Sequence, residues 1–344
     1  MVRRLTFDRL IGNEKMTAAP LDKSQAVTHD PDTTVIPVID YEGSGYRTDF
    51  WQGQGRDYED ATERLAIKQL LPPQGGRMAE IGAGFGRLAD LYLGYDQIIL
   101  FDYSRTLLAD AVTQWGKDPR FVFVAGNLYD LPLASGVLDS LVMVRVMHHL
   151  AHVETALGQL QRSMHKQSVA VLEYANKRNL KAILRWLTRR QPWSPFDQDP
   201  LEFVALNFDF HPAWMDAQFA AAGLQKQKQL AVSHFRLGAI KKRVSAQALA
   251  TWDSRLFGPG AHFPISPSVF VQATSTIGPT DQQAPLPTQQ SDSASVANLF
   301  RCIACGHEPL HQTSATEISC PTCHARYTRR NMIWDFKEFE SAEL

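Results

Sequence analysis

Short apolar runs alternate with helical patterns through the middle of the chain. Five runs are rich in Val, Ile, Leu, Met or Phe and short enough to be buried parallel strands; they lie at about 77–82, 97–102, 120–124, 138–144 and 168–173. Further helical and strand patterns lie at 211–222, 228–235 and 268–274. This alternation predicts an α/β fold with a doubly wound sheet, whose ligand binds beyond the carboxyl ends of the strands.

The remaining segments differ in composition from this central part. Residues 1–44 contain turn formers without sustained periodicity, which predicts a loosely ordered arm ahead of a main domain at 45–277. Residues 278–297 are rich in Pro, Gln, Ser and Thr, as in a flexible linker. Residues 298–344 are few, so we expect this small domain to need a metal or a docking partner for stability.

Composition restricts the class of protein. The 344 residues are 44% hydrophobic and 21% charged, with a formal net charge of -1, which is ordinary for a soluble globular protein. This balance gives no global attraction for nucleic acid or anionic lipid, although it leaves room for a local basic patch. Because the sequence has no signal-like apolar run and no stretch near about 20 apolar residues, we expect a cytoplasmic protein without a membrane span.

A glycine-rich turn follows the first predicted strand, where a helix is predicted to begin. Its residues are Glu80-Ile-Gly82-Ala83-Gly84-Phe-Gly86. Glycines let the backbone turn sharply and approach a ligand, and a helix N-terminus offers free N–H groups. The spacing is GxGxG rather than the GxGxxG of dinucleotide sites. Glu80 would repel a pyrophosphate but suits the cationic methionine portion of S-adenosylmethionine.

Polar residues follow the next two predicted strands. Asp102 lies twenty residues after Gly82, where a carboxylate can accept both ribose hydroxyls. Asn127 and Leu128 follow the third strand, where an amide and a backbone N–H can bind adenine. Taken singly, Asp102 can instead cap the next helix and Asn127 can be a turn residue. The candidate cofactor-binding residues are Glu80, Gly82, Ala83, Gly84, Gly86, Asp102, Tyr103, Asn127, Leu128 and Arg145.

These motifs resemble the large family that includes the ubiquinone and menaquinone biosynthesis C-methyltransferases, the type 11 methyltransferase domain. EIGAGFG is similar to the first family motif, and FDYS, GNLYDLPLASGVLDSLVMV and VMHHL are similar to later ones; with PSVFVQA they cover about residues 46–275. The resemblance implies a Rossmann-like seven-stranded sheet with a reversed last strand, and direct methyl transfer from the sulfonium. Asn127 stands where the family often has Asp, and its amide oxygen can accept the same hydrogen bond.

The acceptor side of the predicted site is less specific. His148 and His149 are candidates for a general base, although methyl transfer depends mainly on in-line positioning, and packing or a loop hydrogen bond is a simpler role for them. Related enzymes place a substrate-covering insert at the position of residues 176–210. Aromatic residues are expected either to line an apolar pocket or to be core: Trp186, Trp193, Phe196, Phe203 and Phe208 in this insert, and Tyr46, Phe50 and Trp51 on the N-terminal side.

Six basic residues also lie in this insert. They are candidates for contacts with an anionic substrate or RNA, and a solvated helix face explains them equally well: Lys177, Arg178, Lys181, Arg185, Arg189 and Arg190.

Four cysteines lie close to the C-terminus. Cys302-x2-Cys305 and Cys320-x2-Cys323 are separated by 14 residues, a spacing typical of two knuckles that present four thiolates to a structural Zn²⁺. Zinc binding of this kind is worth on the order of 10–16 kcal/mol, enough to fold a small unit. NLFRCIACGHEPL and ISCPTCHARYTRRNMIWDF also resemble the small zinc-binding activator subunits of RNA and protein methyltransferases. That resemblance implies that a ribbon strand docks beside the enzyme's sheet, as an activator fused in cis.

The sequence therefore predicts an S-adenosylmethionine-dependent methyltransferase (EC 2.1.1.-) with a small-molecule acceptor and a structural zinc ribbon. An RNA or protein methyltransferase with its activator in cis remains open, as does a non-catalytic module that binds the cofactor. A nicotinamide oxidoreductase is disfavoured by the GxGxG spacing and by Glu80. The sequence does not identify the acceptor, since function cannot be argued from fold alone.

Overall fold

The computed structural model describes residues 36–51, 53–278 and 296–340. Its helices are α1 (Asp57–Leu70), α2 (Arg105–Trp115), α3 (Val153–Ser163), α4 (Leu180–Leu187), α5 (Pro212–Ala221), α6 (Gly238–Lys241), α7 (Ala246–Ser254) and α8 (Phe257–Ala261). Its strands are β1 (Gly75–Ile81), β2 (Tyr95–Asp102), β3 (Phe121–Ala125), β4 (Leu138–Met143), β5 (Met164–Ala175), β6 (Leu201–Val204), β7 (Asn207–Asp209), β8 (Leu224–Val232), β9 (Ser268–Ser275), β10 (His311–Ser314), β11 (Glu317–Ser319), β12 (Arg326–Arg330) and β13 (Ile333–Glu340). None of the described helices has the length and apolar character needed to cross a membrane.

One mixed sheet organises the described part of the chain. Its eleven strands follow the order β10-β11-β12-β13-β3-β2-β1-β4-β5-β9-β8, while β6 and β7 form a separate hairpin. Strands β3, β2, β1, β4 and β5 are parallel, and β9 is antiparallel to both β5 and β8. The predicted α/β class is therefore confirmed, because the apolar runs form the buried parallel centre of the sheet.

Helices cover both faces of this sheet. Ala79 and Ile81 of β1 face a buried cluster that includes residues of α3 and α5, whereas Met78 faces a second cluster with residues of α1 and α2. Successive side chains of a strand point to opposite faces, so a strand buried on both sides needs apolar residues throughout. The doubly wound arrangement follows from this two-sided burial.

The turn after β1 differs from the prediction. The sequence indicated a helix beginning at the glycine-rich segment, but the structure has consecutive tight turns there, followed by the 3-10 helix Ala89–Tyr92. Gly82, Gly84 and Gly86 have positive φ angles of 74°, 53° and 75°. Left-handed residues at alternate positions prevent a right-handed helix from starting. A ligand at this place would meet the backbone of turns rather than a helix N-terminus.

The C-terminal segment joins the main sheet instead of standing apart from it. Strand β13 pairs in parallel with the edge strand β3, with Trp334 opposite Val124. Leu299, Phe300 and Trp334 belong to the same buried cluster as the core of the central strands. Residues 75–275 thus contribute seven strands and residues 311–340 contribute four to one sheet, with a strand of the C-terminal segment beside the enzyme's sheet as the resemblance to activator subunits implied.

The end of the predicted N-terminal arm is ordered. Residues 36–44 pack onto the molecule, and Glu42 accepts hydrogen bonds from the backbone N–H groups of Arg105 and Thr106, at 2.8 and 3.0 Å. These N–H groups lie at the start of α2, where a carboxylate is a favourable cap. Residues 36–44 of the predicted arm thus contact the main domain, and the rest of the arm, 1–35, lies outside the described residues.

Candidate functional site

A cavity opens beyond the carboxyl ends of β1, β2, β3 and β4. The volume of this cavity is about 130 Å³, roughly ten times the minimum that holds one water molecule. Most of the predicted cofactor-binding residues line it, namely Glu80, Gly82, Ala83, Gly84, Asp102, Tyr103, Asn127, Leu128 and Arg145. The motifs that are scattered along the sequence meet here because parallel strands end at the same edge of the sheet.

Glu80 carries a buried carboxylate at the base of this cavity. Only 4% of the residue is exposed, and its Oε2 has no hydrogen-bond partner in the described part of the chain. Burial raises the pKa of Glu80 to about 8, although the nearby Arg87 guanidinium acts in the opposite direction. A buried polar oxygen without a partner is costly, so this carboxylate is poised for a cationic or hydrogen-bonding ligand.

Asp102 is the second carboxylate of the cavity, at the end of β2. Its Oδ2 accepts a hydrogen bond from the N–H of Gly84 at 2.7 Å, and its Oδ1 accepts one from Ser104 at 2.8 Å. Burial raises its pKa to about 6 against these N–H donors. Each carboxylate oxygen accepts more than one hydrogen bond, so Asp102 both fixes the glycine-rich turn and keeps acceptor capacity for hydroxyl groups.

Two positions of the turn require glycine for different physical reasons. A Cβ on Gly82 would collide with the side chain of Val146, which borders the cavity. A Cβ on Gly86 would lie 3.1 Å from the Trp115 ring, and Gly86 itself does not line the cavity. Gly86 therefore permits close packing of α2 rather than ligand approach, which departs from its prediction as a cofactor-binding residue.

Asn127 combines the two roles that the sequence left open. It lines the cavity, and its side-chain oxygen accepts a hydrogen bond from the N–H of Tyr129 at 3.0 Å, which caps the 3-10 helix Leu128–Asp130. The amide is oriented by this cap. Its NH₂ group is a donor that an aspartate could not offer.

The sequence did not reveal a buried ion-pair cluster beside the cavity. Glu63 of α1 lies 2.8 Å from Nη2 of Arg87 and 2.5 Å from Nη2 of Arg145. The ring of Trp51 lies under both guanidinium groups, with centroid distances of 3.8 and 5.0 Å. Two arginines hold the pKa of Glu63 low despite its complete burial. Arg145, predicted to bind cofactor, thus uses its guanidinium to anchor the segment that carries Trp51.

The paired histidines take different positions. His149 lines the cavity, with its Nε2 3.3 Å from the Tyr41 hydroxyl and its Nδ1 3.1 Å from the carbonyl oxygen of Leu206. A carbonyl accepts only, so we assign the proton to Nδ1 and the acceptor role to Nε2. Burial lowers the pKa of His149 to about 4 and also lowers the pKa of His148 well below its usual value. His148 does not line the cavity.

The aromatic residues of the predicted insert do not line the cavity. Phe208 packs against Phe210 with a ring separation of 6.1 Å, and Trp186, Phe196 and Phe203 are 38%, 44% and 44% exposed. Apolar closure comes instead from the N-terminal side, through Val38, Ile39, Tyr41, Tyr46 and Trp51. Of these, only Tyr46 and Trp51 were expected there. Phe50 stacks on Tyr46 at 5.2 Å from outside the lining.

Strand β13 contacts the N-terminal segment 36–44, which covers the cavity and is called the cover below. The Lys337 ammonium lies 3.8 Å from the centroid of the Tyr103 ring, 3.6 Å from Asp40 and 3.9 Å from Glu42. A second link joins Arg105 of α2 to Asp335 at 2.7 Å. The ribbon strand therefore touches both the cavity wall and the segment that covers it.

The four cysteines converge into one cluster. Their Sγ atoms all lie within 4.8 Å of one another, and the pairs Cys302–Cys323 and Cys305–Cys320 are each 3.5 Å apart. Zn–S bonds of about 2.3 Å in a tetrahedron place sulfurs about 3.8 Å apart, so these residues fit a Zn²⁺ ion. The donor set is complete without His307, His311 or His324, in agreement with the predicted four-thiolate site.

Comparison with known proteins gives one family match. Residues 79–172 match the family model described as a methyltransferase domain of type 11. No curated protein matches the chain.

Several solved structures are similar at low identity. A chain of the complex between the Haloferax volcanii Trm112 methyltransferase activator and a putative methyltransferase has 16% identity and a TM-score of 0.46, covering 66% of this chain and 96% of that one. A putative S-adenosylmethionine-dependent methyltransferase from Listeria monocytogenes has 12% identity and a TM-score of 0.47, covering 64% and 99%. Another such methyltransferase, from Mesorhizobium loti, has 15% identity and a TM-score of 0.45, covering 63% and 99%. Similarities this low do not identify a substrate for this chain. The family match at residues 79–172 therefore lies within the α/β sheet, and it shows similarity to a methyltransferase domain over that part of the chain.

Proposed function

We propose that this chain is an S-adenosylmethionine-dependent methyltransferase that transfers the sulfonium methyl to a small-molecule acceptor. The observation that carries the proposal is the buried Oε2 of Glu80, which has no hydrogen-bond partner among the described residues, in a residue that lines a cavity bordered by the glycine-rich turn and by Asp102. A nucleotide with a pyrophosphate would place negative charge beside two buried carboxyl groups whose pKa values are already raised, and it would raise them further. A cationic amino acid joined to a nucleoside is compatible with both, because one end is positive and the other offers ribose hydroxyls.

Different lining residues would bind different parts of the cofactor. Glu80 would accept from the cationic methionine portion, and Asp102 would accept from the ribose hydroxyls. Asn127 and the backbone of Leu128 would bind adenine at the far end, with Tyr103 and Ala83 beside them. Because three strands present these groups at one edge, their spacing is set by the sheet and needs little rearrangement on binding.

Positioning, rather than strong base catalysis, would supply the rate. In-line placement of acceptor and methyl group accounts for much of the barrier reduction in bimolecular reactions. His149 is the lining residue closest in character to a base, but its lowered pKa and its contact with the Tyr41 hydroxyl make it a weak one. We infer that His149 holds the Tyr41 hydroxyl in place and that the Tyr41 oxygen orients the methyl acceptor by accepting a hydrogen bond.

The four-cysteine cluster would hold a structural Zn²⁺. Four thiolates leave no open coordination position, so the ion would stabilise the ribbon and take no part in methyl transfer. We propose the division into a methyltransferase domain at 45–277, a linker at 278–297 and a ribbon at 298–344. The linker residues 279–295 lie outside the described residues.

Isothermal titration with S-adenosylmethionine and S-adenosylhomocysteine, with NADH as control, tests the cofactor. Both sulfur ligands should bind and NADH should not. Asp102→Asn should weaken binding by about 1.5–3 kcal/mol, the worth of a hydrogen bond to a charged group. Asp96→Asn is the matched control, since Asp96 is an exposed carboxylate on the same strand. Binding of NADH alone, or equal affinity of the two variants, would overturn the site.

A macromolecular acceptor is the second candidate. It is favoured by the ribbon strand β13, which pairs beside the sheet as the resemblance to activator subunits of RNA and protein methyltransferases implies. Transfer of a labelled methyl group to small molecules, RNA and protein fractions of an extract separates the candidates. Labelled RNA, with activity lost in high salt, would favour the second, and cofactor binding without any labelled product would indicate a non-catalytic module.

A further inference from the structure

An exposed apolar stripe runs along α4, which has no part in the cofactor site. Leu180, Leu184 and Leu187 are 50%, 45% and 63% exposed. Residues spaced by four and three lie on one face of a helix, so the three leucines form a continuous stripe. Ala182, which is only 4% exposed, lies on the opposite face and rests on the protein. The stripe therefore points away from the core.

Further large apolar side chains adjoin this stripe. The backbone N–H of Leu180 donates to the carbonyl oxygen of Ile265 at 2.7 Å, which places the neighbouring Phe263, 56% exposed, beside the start of α4. Trp186 of α4 itself, one turn after Ala182, contacts Phe196 with ring centroids 5.5 Å apart, and both rings are partly exposed. Contiguous exposed apolar groups of this kind mark an interaction surface rather than scattered surface residues.

Basic residues predominate in this region. Residues 176–196 contain six Lys or Arg residues and no Asp or Glu, and the exposed Asp197 and Asp199 follow directly. Lys177 is committed to the fold, since its ammonium donates to the carbonyl oxygens of Asp197 and Asp199 at 3.0 and 2.7 Å. Arg185 lies on α4, on the flank between the leucine stripe and the face of Ala182, and Arg189 follows the end of the helix. Long basic side chains of this type extend past an apolar face toward anionic groups.

We propose that α4, which includes Trp186, forms with Phe263 and Phe196 a docking surface for an anionic membrane. The leucines would enter the boundary between headgroups and acyl chains, and Arg185 and Arg189 would meet anionic headgroups. RNA would satisfy the arginines but would leave three exposed leucines in water. The helix has eight residues, so it lies on the membrane and does not cross it. This inference does not depend on the proposed methyl transfer.

Cosedimentation with phospholipid vesicles tests the proposal. The full chain, loaded with Zn²⁺, should bind vesicles of phosphatidylcholine with 30 mol% phosphatidylglycerol and should bind pure phosphatidylcholine much less. Binding should fall steeply in 0.5 M NaCl, because exposed charges are screened over a few ångströms at that ionic strength. The double variant Arg185→Gln/Arg189→Gln should bind about 25-fold more weakly, about fivefold for each charge.

The apolar contribution needs its own variants. Leu184→Asp/Leu187→Asp should weaken vesicle binding by at least about tenfold, since it removes two side chains from the apolar boundary. Leu93→Asp is the matched control, because Leu93 is 43% exposed outside this surface, and it should bind as the unchanged chain does. Thermal unfolding monitored by circular dichroism checks that each variant folds.

Three results would overturn the proposal. The first is no binding to anionic vesicles by the unchanged chain. The second is equal binding by the folded Leu184→Asp/Leu187→Asp variant. The third is binding to an RNA homopolymer that is at least as strong as vesicle binding and survives the loss of both leucines, which would assign the basic residues to nucleic acid instead.

Discussion

Lys337 is expected to control cofactor affinity although it lies in the ribbon strand, far along the chain from the glycine-rich turn. Its side chain is 10% exposed and contacts the cavity wall at Tyr103 and the cover at Asp40 and Glu42. Lys337→Met keeps most of the aliphatic stem but removes the charge. The cover, residues 36–44, should then spend more time away from the cavity.

The expected magnitude follows from the contacts of this ammonium. A partly desolvated cation–π contact is worth about 1–2 kcal/mol, and each half-exposed ion pair about 0.2–1 kcal/mol. These contributions share one ammonium and are not additive, so we take about 1.5 kcal/mol in total. If cofactor binding requires the cover in place, the dissociation constant for S-adenosylhomocysteine should rise about tenfold.

Isothermal titration with S-adenosylhomocysteine measures this effect, and stopped-flow release should show it mainly as faster dissociation. Lys337→Arg should restore most of the affinity, and Lys166→Met, at an exposed position elsewhere, should change nothing. Metal content and thermal unfolding report whether the ribbon remains intact. Unchanged affinity in a folded Lys337→Met protein, or an equal loss in Lys337→Arg, would refute the reasoning.

Three further outcomes can be measured. Affinity for S-adenosylmethionine should rise between pH 6 and 8.5, because the raised pKa values of about 6 for Asp102 and about 8 for Glu80 leave protons that a cationic ligand must displace. Titrations across this range should show a smaller rise near pH 8 in Glu80→Gln, and an affinity that does not change with pH in the unchanged chain would contradict this. Gly82→Ala should lower the free energy of unfolding by about 1–3 kcal/mol, because this residue has a positive φ and its new Cβ would collide with Val146. Gly158→Ala should raise the free energy of unfolding by up to about 1 kcal/mol, because a Cβ there meets nothing within 4 Å. Denaturant titration measures both variants. Trp334→Ala should cost about 3–5 kcal/mol and lower one common unfolding transition, because this ring is buried where the ribbon meets β3; calorimetry that shows a separate ribbon transition would contradict a shared core.

Local sequence patterns predicted the central strands, the tight turn at the cavity and the cysteine cluster. The apolar runs predicted the central strands to within a few residues, because a strand buried on both faces is necessarily apolar along its length. The glycines around Gly84 predicted a tight turn at the cavity, and the two cysteine pairs predicted one cluster of four thiolates. In each case the property depends on residues that are close in the sequence or on a spacing that the ligand itself imposes.

Only the tertiary structure decided which distant residues meet. The charge of Lys337 says nothing by itself about Asp40, and Glu63 gives no sign that it will be buried between two arginines. The predicted helix after Gly82 failed because three left-handed glycines outweigh the usual strand-to-helix pattern. The ribbon merged with the sheet because β3 presents an edge whose backbone groups need partners, and an open edge accepts any strand of matching register. Pairing across hundreds of residues is selected by such three-dimensional complementarity, which no local periodicity records.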